Sequence, residues 1–538
     1  MRHAFKHMTR KSNKFLILIL SSILFCGVLL LCTTSCHTNT SRDKHSLNIA
    51  ISHDPMSLDP RNVSLSKDIS IAQALYEGLV RERPNHPELA LTERYTVSDD
   101  KTIYTFYLKD TSWSNGDPVT AHDFEESIKQ ILHLGAACSS NSLLGVIKNY
   151  QAVMSKQLPI ESLGIRAIDT LQLEITLEKP IPHFLELLAA PIFFPVHKSL
   201  REFSSSGGEK LPYISNGPFI IDSYHPQTQL IIKKNPLYHD KHSVHIETIT
   251  FQIVPDAHTS LQLFQKHLVD WVGSPWSSPI SKEEQHHISK DKLHTYPVLG
   301  TTSLICNLKN SPTNNIFLRK ALAYAIDKPS LLQFVSHGKV ANHFLPPELS
   351  KMPRISAQSP EKRQQQAYAY FKEAEKELSQ KQISELSIIY PIESTCLNAI
   401  VQEIQQQIKN VLGIHLTIQG LEYHCFLDKR RREDFTLATG RWIAEYPRPS
   451  SFLTFLGNLK NNESTKWENA QYNRILTELL SQEEKIQDQI LAEELIDAEN
   501  PIIPLYHFNY TYAANPKIHN AYTSLLGHID LKEIELTA

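Results

Sequence analysis

Residues 386–418 read LSIIYPIESTCLNAIVQEIQQQIKNVLGIHLTI. Leu386 to Tyr390 is a short apolar run, as a buried strand requires, and Leu397 to Val411 repeats apolar residues at helical spacing. Ile414 to Ile418 returns to an extended pattern. Gly413 stands where the helix must stop, because a residue without Cβ enters the left-handed C-cap conformation freely. Strand, helix, strand in this order argues for an α/β lobe with parallel strands.

The pattern extends in both directions. Thr301 to Asn307 is extended, and Phe317 to Phe334 is helical with a break at Pro329. Glu361 to Leu378 is a strongly charged helix with a solvated outer face. Leu47 to Ile51 and Thr102 to Leu108 read as strands, and Leu171 to Leu177 alternates as a half-buried one. Ile69 to Leu79 has helical spacing, with Ser66 or Asp68 as its cap. Ser114 to Pro118 is a turn, and Thr120 with Asp123 makes a capping box. The Pro-rich points at 345–347 and 446–449 read as loops within the fold.

The first residues belong to a different regime. Five positive charges and no acid precede an apolar run, Phe15 to Leu31, followed by Thr33-Thr34-Ser35-Cys36. A basic start, a long apolar stretch and small residues before a cysteine describe a lipoprotein signal over residues 1–35. Cys36 would then be diacylated and begin the mature chain, with residues 36–45 as a lipid-proximal tether. Two acyl chains hold a protein stably at a bilayer. The expected location is therefore extracytoplasmic, on the periplasmic side, anchored by lipid and not spanning. A signal anchor is the rival reading, since the run is close to the shortest membrane span.

The chain has 538 residues and a formal charge of −3, which becomes more negative once the basic leader is lost. Such a surface does not attract nucleic acid by bulk electrostatics. Cys138, Cys306, Cys396 and Cys425 remain beyond Cys36. Three pairings are open to them, and buried free thiols are the simpler reading. No phosphate-binding Gly-rich loop, nucleophile elbow or His-Glu-x-x-His appears. Ser64-Leu65-Ser66-Lys67 fits the Ser-x-x-Lys of penicillin-recognising acyl-enzymes, but the companion motifs are missing. His239, Asp240, His242 and His245 could ligate a metal, but they read better as an exposed hairpin loop. No cofactor, metal site or catalytic residue is expected.

Scattered segments speak together. They include Ser57-Leu58-Asp59-Pro60, Ala74 to Val80, Tyr104 to Asp110, and Trp113 to Phe124, the most specific. Asn216 to Phe219, Lys234 to Tyr238, Leu318 to Asp327, Trp442 to Tyr446 and Pro501 to Tyr506 follow. In order and spacing these resemble the oligopeptide-type solute-binding proteins of ABC importers, bacterial solute-binding protein family 5. The resemblance implies an α/β, periplasmic-binding-protein-like fold: two lobes with a hinge, plus an extra domain inserted in the first. Lobe I would comprise residues 46–80, 190–300 and 505–538, the inserted domain 81–189, and the second large lobe 301–504.

The resemblance also implies a site. A short peptide would lie extended between the lobes, bonded through its main chain on both sides. Arg441, Trp442 and Ile443 would supply one backbone, with Trp442 also lining a side-chain pocket, and Ser64, Leu65 and Ser66 the other. Glu445 stands where the family has an Asp for the peptide's amine, one methylene longer. Thr439 stands where some members carry an arginine for the ligand carboxylate. Tyr506 completes the set. The implied partners are short peptides, ABC permease subunits and the bilayer, with no nucleic acid, and a monomer is expected. The alternatives are a non-peptide cargo such as a metal chelate, an acyl-enzyme using Ser64 and Lys67, and an adhesion or scaffold lipoprotein.

Overall fold

The computed structural model describes residues 45–84, 86–134, 141–202, 213–353, 358–457, 465–481 and 485–537. The signal, Cys36 and Cys138 lie outside the described residues.

The fold is mixed α/β and organised by one 11-stranded sheet. From one edge its strands are Thr417–Leu421, Ser387–Pro391, Leu437–Ile443, Leu293–Cys306 and Ile502–Ala514. It continues through Trp271–Gly273, Ser46–Ile51, Thr248–Ile253, Gln229–Lys234 and Phe219–His225, with Gly338–Val340 added on Ile502–Ala514. Ser46–Ile51 is central, and Leu47, Ile49, Ala50 and Ile51 are all fully buried. A strand covered on both faces loses the polar alternation of a half-exposed one.

Two lobes emerge from the packing. One core gathers side chains from Leu47 to Trp276 together with Ala514, Ile529, Leu531 and Ile534. The others gather side chains from Val298 to Tyr510. Leu293–Cys306 and Ile502–Ala514 run antiparallel from one lobe into the other, and their register shifts between Pro297 and Thr301. A separate four-stranded sheet, Thr92–Val97, Ile103–Leu108, Gln172–Thr176 and Ile165–Ala167, packs onto the first lobe's core. Among the described residues no helix is long and apolar enough to cross a membrane.

The segment 386–418 folds largely as its pattern predicts. Ser387–Pro391 is a strand and Thr395–Leu412 a helix, capped by Ser394 accepting from Leu397 N–H. Leu397, Ile400, Val401, Ile404, Ile408 and Leu412 form its buried stripe, and Gly413 closes it at φ +71°. Ser387–Pro391 runs parallel to both of its neighbours. The parallel expectation fails one strand further on, because Leu437–Ile443 pairs antiparallel with Leu293–Cys306. The third element is also displaced, to Thr417–Leu421.

Other expectations need correction. The helix expected over Ile69 to Leu79 is Ser66–Leu75; Leu65 occupies its cap without a side-chain bond. Asn216 stops it, donating to the Glu77 carbonyl and accepting from the Glu77 N–H, while Gly217 N–H bonds the Leu75 carbonyl. A Cβ at Gly217 would meet the Leu75–Tyr76 peptide at 2.7 Å. The helical stretch near Pro329 is already interrupted at Ile326 and Asp327. The charged helix is Pro360–Ala374, and only Ala367, Phe371 and Ala374 face inward.

His239 is not solvated as its sequence context suggests. Its Nε2 lies 2.5 Å from Glu77 Oε2, while His242 and His245 are exposed. Buried Glu77 also accepts from Tyr238 Oη at 2.7 Å and Arg81 Nη2 at 3.2 Å. Arg81 continues to Asp530 at 2.8 Å, and Arg83 to the same carboxylate at 2.7 Å. The network ties the first helix, the hairpin loop and the C-terminal segment together. Burial alone would raise the Glu77 carboxyl, but the His239 bond and the Arg81 charge outweigh it and hold it at about 2. A carboxylate so depressed stabilises the fold fully above its ordinary 4.5, and that stability is lost as pH falls through about 2. Glu77→Gln should therefore cost about 3 kcal/mol at pH 7, as breaking a buried pair does. In urea unfolding followed against pH, the gap to the unaltered protein should close as pH falls from 4.5 towards 2.

Candidate functional site

Between the lobes lies a cavity of about 1920 Å³. Ser64, Leu65, Ser66, Arg441, Trp442, Ile443 and Glu445 all line it. Positions almost four hundred residues apart in sequence thus meet across one cleft. Tyr506 does not line it. That side chain is 4 % exposed and sits in the second lobe's core, its hydroxyl against Cys396.

The backbone of the cavity wall is the informative part. Leu437–Ile443 bonds Leu293–Cys306 along its whole length on one side. On its other side Ser387–Pro391 reaches only Leu437 and Ala438. From Thr439 to Ile443 that side is an open strand edge lining the cavity. Across the cavity Val63 and Leu65 are extended, and Leu65 precedes the first helix. Among the described residues the N–H and C=O of Ser64 have no protein partner. Unpaired N–H and C=O groups in an accessible row are a template for one more strand.

Strand alternation sends neighbouring side chains apart. Trp442 packs on Phe455 in a tilted pair, 4.6 Å between ring centroids, while Arg441 lays its guanidinium 3.9 Å over Phe508. Ile443 packs on the same core as Phe508. Glu445 follows the strand, half-buried, its N–H held by Ser451 Oγ at 2.7 Å. Thr439 is buried, and its neutral side chain puts no cation at that position.

Several residues here were not singled out from the sequence. Tyr510 Oη meets Ser66 Oγ at 3.0 Å, a contact between the two walls. Arg430 lines the cavity with Tyr423 and Phe426. These three follow helical spacing on Tyr423–Arg431, a signal that could have found them. Arg448 and Glu186 form a two-pronged ion pair, 2.6 and 3.0 Å, joining the two sides of the cleft. Beside it Tyr446 is buried in the first lobe's core and stacks on His183 at 4.9 Å. Burial, with the Arg448 charge adding, pulls His183 down to about 4, so it stays neutral at pH 7.

The Ser64 and Lys67 pair lacks nucleophile geometry. The helix begins at Ser66, so Ser64 precedes its cap and is not one helical turn from Lys67. Lys67 Nζ donates to Asp68 Oδ1 at 2.7 Å and to the Asp54 carbonyl at 3.1 Å. Burial lowers its pKa while Asp68 opposes the shift. The described residues hold no group of three or more His, Cys, Asp and Glu suited to a metal ion. Cys306, Cys396 and Cys425 are free thiols.

Comparison with known proteins bears on this geometry. The model for bacterial extracellular solute-binding proteins, family 5 middle, matches residues 86–464. The chain is 27% identical over 505 residues to the oligopeptide-binding protein OppA of Bacillus subtilis, covering 89% of this chain and 90% of that one. It is 27% identical over 497 residues to the dipeptide-binding protein DppE of the same organism, with the same coverage. The structure of Listeria monocytogenes OppA bound to peptide superposes with a TM-score of 0.79 at 26% identity, covering 92% of this chain and 99% of that one. With the open strand edge, the cleft and the two-lobe fold in agreement, the chain belongs to the family 5 bacterial extracellular solute-binding proteins.

Proposed function

We propose that this protein is the substrate-binding component of an ABC importer and encloses short peptides between its lobes. The observation that carries the reading is the open edge from Thr439 to Ile443, facing the unpartnered backbone of Ser64 across a cavity of about 1920 Å³. A peptide strand laid between them would find main-chain donors and acceptors on both sides, which gives affinity without demanding a sequence. Its side chains would enter the remaining volume, with Trp442 lining one pocket. Glu445 is assigned to the peptide's α-amino group, because a buried ammonium without a counter-charge is costly. The names and ligands of the relatives support the same cargo.

The lobes are assigned to residues 46–80 with 190–300 and 505–538, and to 301–504, with 81–189 as the inserted domain. Cys36 is assigned as the lipid attachment site, placing the protein outside the cytoplasm beside its permease, as a monomer. It binds without catalysis: Lys67 is committed to Asp68 and does not serve Ser64.

Three outcomes are expected. Glu445→Gln should weaken peptide binding by about 2–5 kcal/mol. N-acetylation of the peptide should do the same in calorimetry. A loss under about threefold in both would remove Glu445 from the site. A fluorescent penicillin should label nothing, and a labelled band lost in Ser64→Ala would establish the acyl-enzyme instead. A tagged fatty acid fed to cells should label the protein and fail to label Cys36→Ala; equal labelling would move the anchor elsewhere.

A further inference from the structure

The turn Tyr446-Pro447-Arg448-Pro449 leaves the second lobe and docks on the first. Its flanks belong to the second lobe: Ala444 before it, and Phe452 and Leu453 after it, are buried in one of that lobe's cores. Tyr446 between them is 4 % exposed and packs instead in the first lobe's core. Pro447 and Pro449 fix φ within the turn. The Arg448 N–H bonds the Tyr446 carbonyl at 2.8 Å, and Tyr446 Oη meets Ser450 Oγ at 3.1 Å. The turn is thus a projection shaped in advance, which loses little chain entropy on docking.

The surface that receives it is the short helix Phe184–Leu188, which follows the last strand of the four-stranded sheet in sequence. Phe184, Leu187 and Leu188 anchor this helix in the first lobe's core. His183 caps it and lies against the Tyr446 ring with 17° between the planes. Glu186 on the same helix takes both prongs of Arg448. Lys179 adds a third contact, donating to the Thr477 carbonyl at 3.4 Å, on a helix of the second lobe.

Glu445 immediately precedes the turn, and Ser451 Oγ accepts from the Glu445 and Tyr446 N–H groups. The carboxylate assigned to the ligand's amine is therefore carried on a segment whose position the first lobe fixes. Parting the walls draws a buried ring out of the first lobe's core and separates an ion pair, and both costs oppose release.

We propose that Tyr446 and Arg448 are positioning residues, docked on His183 and Glu186, that hold the Glu445 segment across the cleft and so set how long a bound peptide stays. The inference rests on the peptide-binding reading above and gives the helix Phe184–Leu188 a part in it.

Stopped-flow fluorescence on the mature protein tests it, with Ala-Ala-Lys dansylated on its side chain as the probe and unlabelled peptide as the chase. Glu186→Gln and Arg448→Gln should each speed release about fivefold, the scale of a partly exposed ion pair. The reversed pair, Glu186→Arg with Arg448→Glu, should bring the rate back to within about twofold of the unaltered protein, which a direct contact between Arg448 and the ligand would not allow. Release within about twofold of the unaltered rate in both glutamine variants overturns the proposal and leaves peptide binding standing. So does a faster release that the reversed pair fails to recover. If the probe does not bind, the peptide reading fails, and small-angle X-ray scattering of the ligand-free protein decides the docking alone. A larger radius of gyration in both glutamine variants, restored in the reversed pair, upholds it, and identical radii overturn it.

Discussion

The structure depends on the antiparallel pairing of two long strands, Leu293–Cys306 and Ile502–Ala514. They are far apart in sequence and belong to both lobes at once. Each lobe builds outward from them: Trp271–Gly273 and Ser46–Ile51 on one side, Leu437–Ile443 and Ser387–Pro391 on the other. Because the same two strands enter both cores, the lobes share a sheet yet keep separate interiors. The register shift between Pro297 and Thr301 falls where the strands pass from one lobe to the other. A bulge bends and twists the strand that carries it, so the joint is a place where the lobes can change their angle without breaking either core.

That shared sheet also creates a wall of the cavity. Leu437–Ile443 is fully paired towards Leu293–Cys306, but its other neighbour stops at Ala438. The backbone left over is an edge of the kind proteins usually cover. Here the cover is a cavity, and the opposite wall offers extended backbone before the first helix. Main-chain groups would give such a site its tolerance of sequence.

Closure is written into contacts that cross the cleft. Arg448 grips Glu186 with both prongs, Tyr446 stacks on a buried neutral His183, and Ser66 meets Tyr510. Arg448 and Tyr446 follow Glu445 directly in sequence. The residue assigned to the ligand's amine therefore sits on the same short segment that holds the two sides together. A ligand drawn to Glu445 and a segment anchored on the other side favour the same arrangement, as differential binding to one state requires.

The sequence by itself determined the local elements, because their causes are local. Helix Thr395–Leu412 follows from its apolar stripe, Ser394 and Gly413; the solvated helix Pro360–Ala374 follows from its charges. Motif order carried the family, and with it Arg441, Trp442, Glu445 and Ser64 to Ser66 as wall residues of the cavity. Tyr506 came from the same kind of argument and lies in the core, since a motif shows that a residue matters but not which way it faces. Only the tertiary structure decided the rest. The helix expected to reach Leu79 ends at Leu75 because Asn216 and Gly217 hold the next peptide. His239 leaves water because Glu77 accepts it, and the sheet turns antiparallel where the two long strands meet. Glu186 becomes Arg448's partner only across the cleft. Periodicity and capping act over a few residues and can be read along the chain, whereas pairing, burial and charge compensation join distant residues and exist only once the chain has folded.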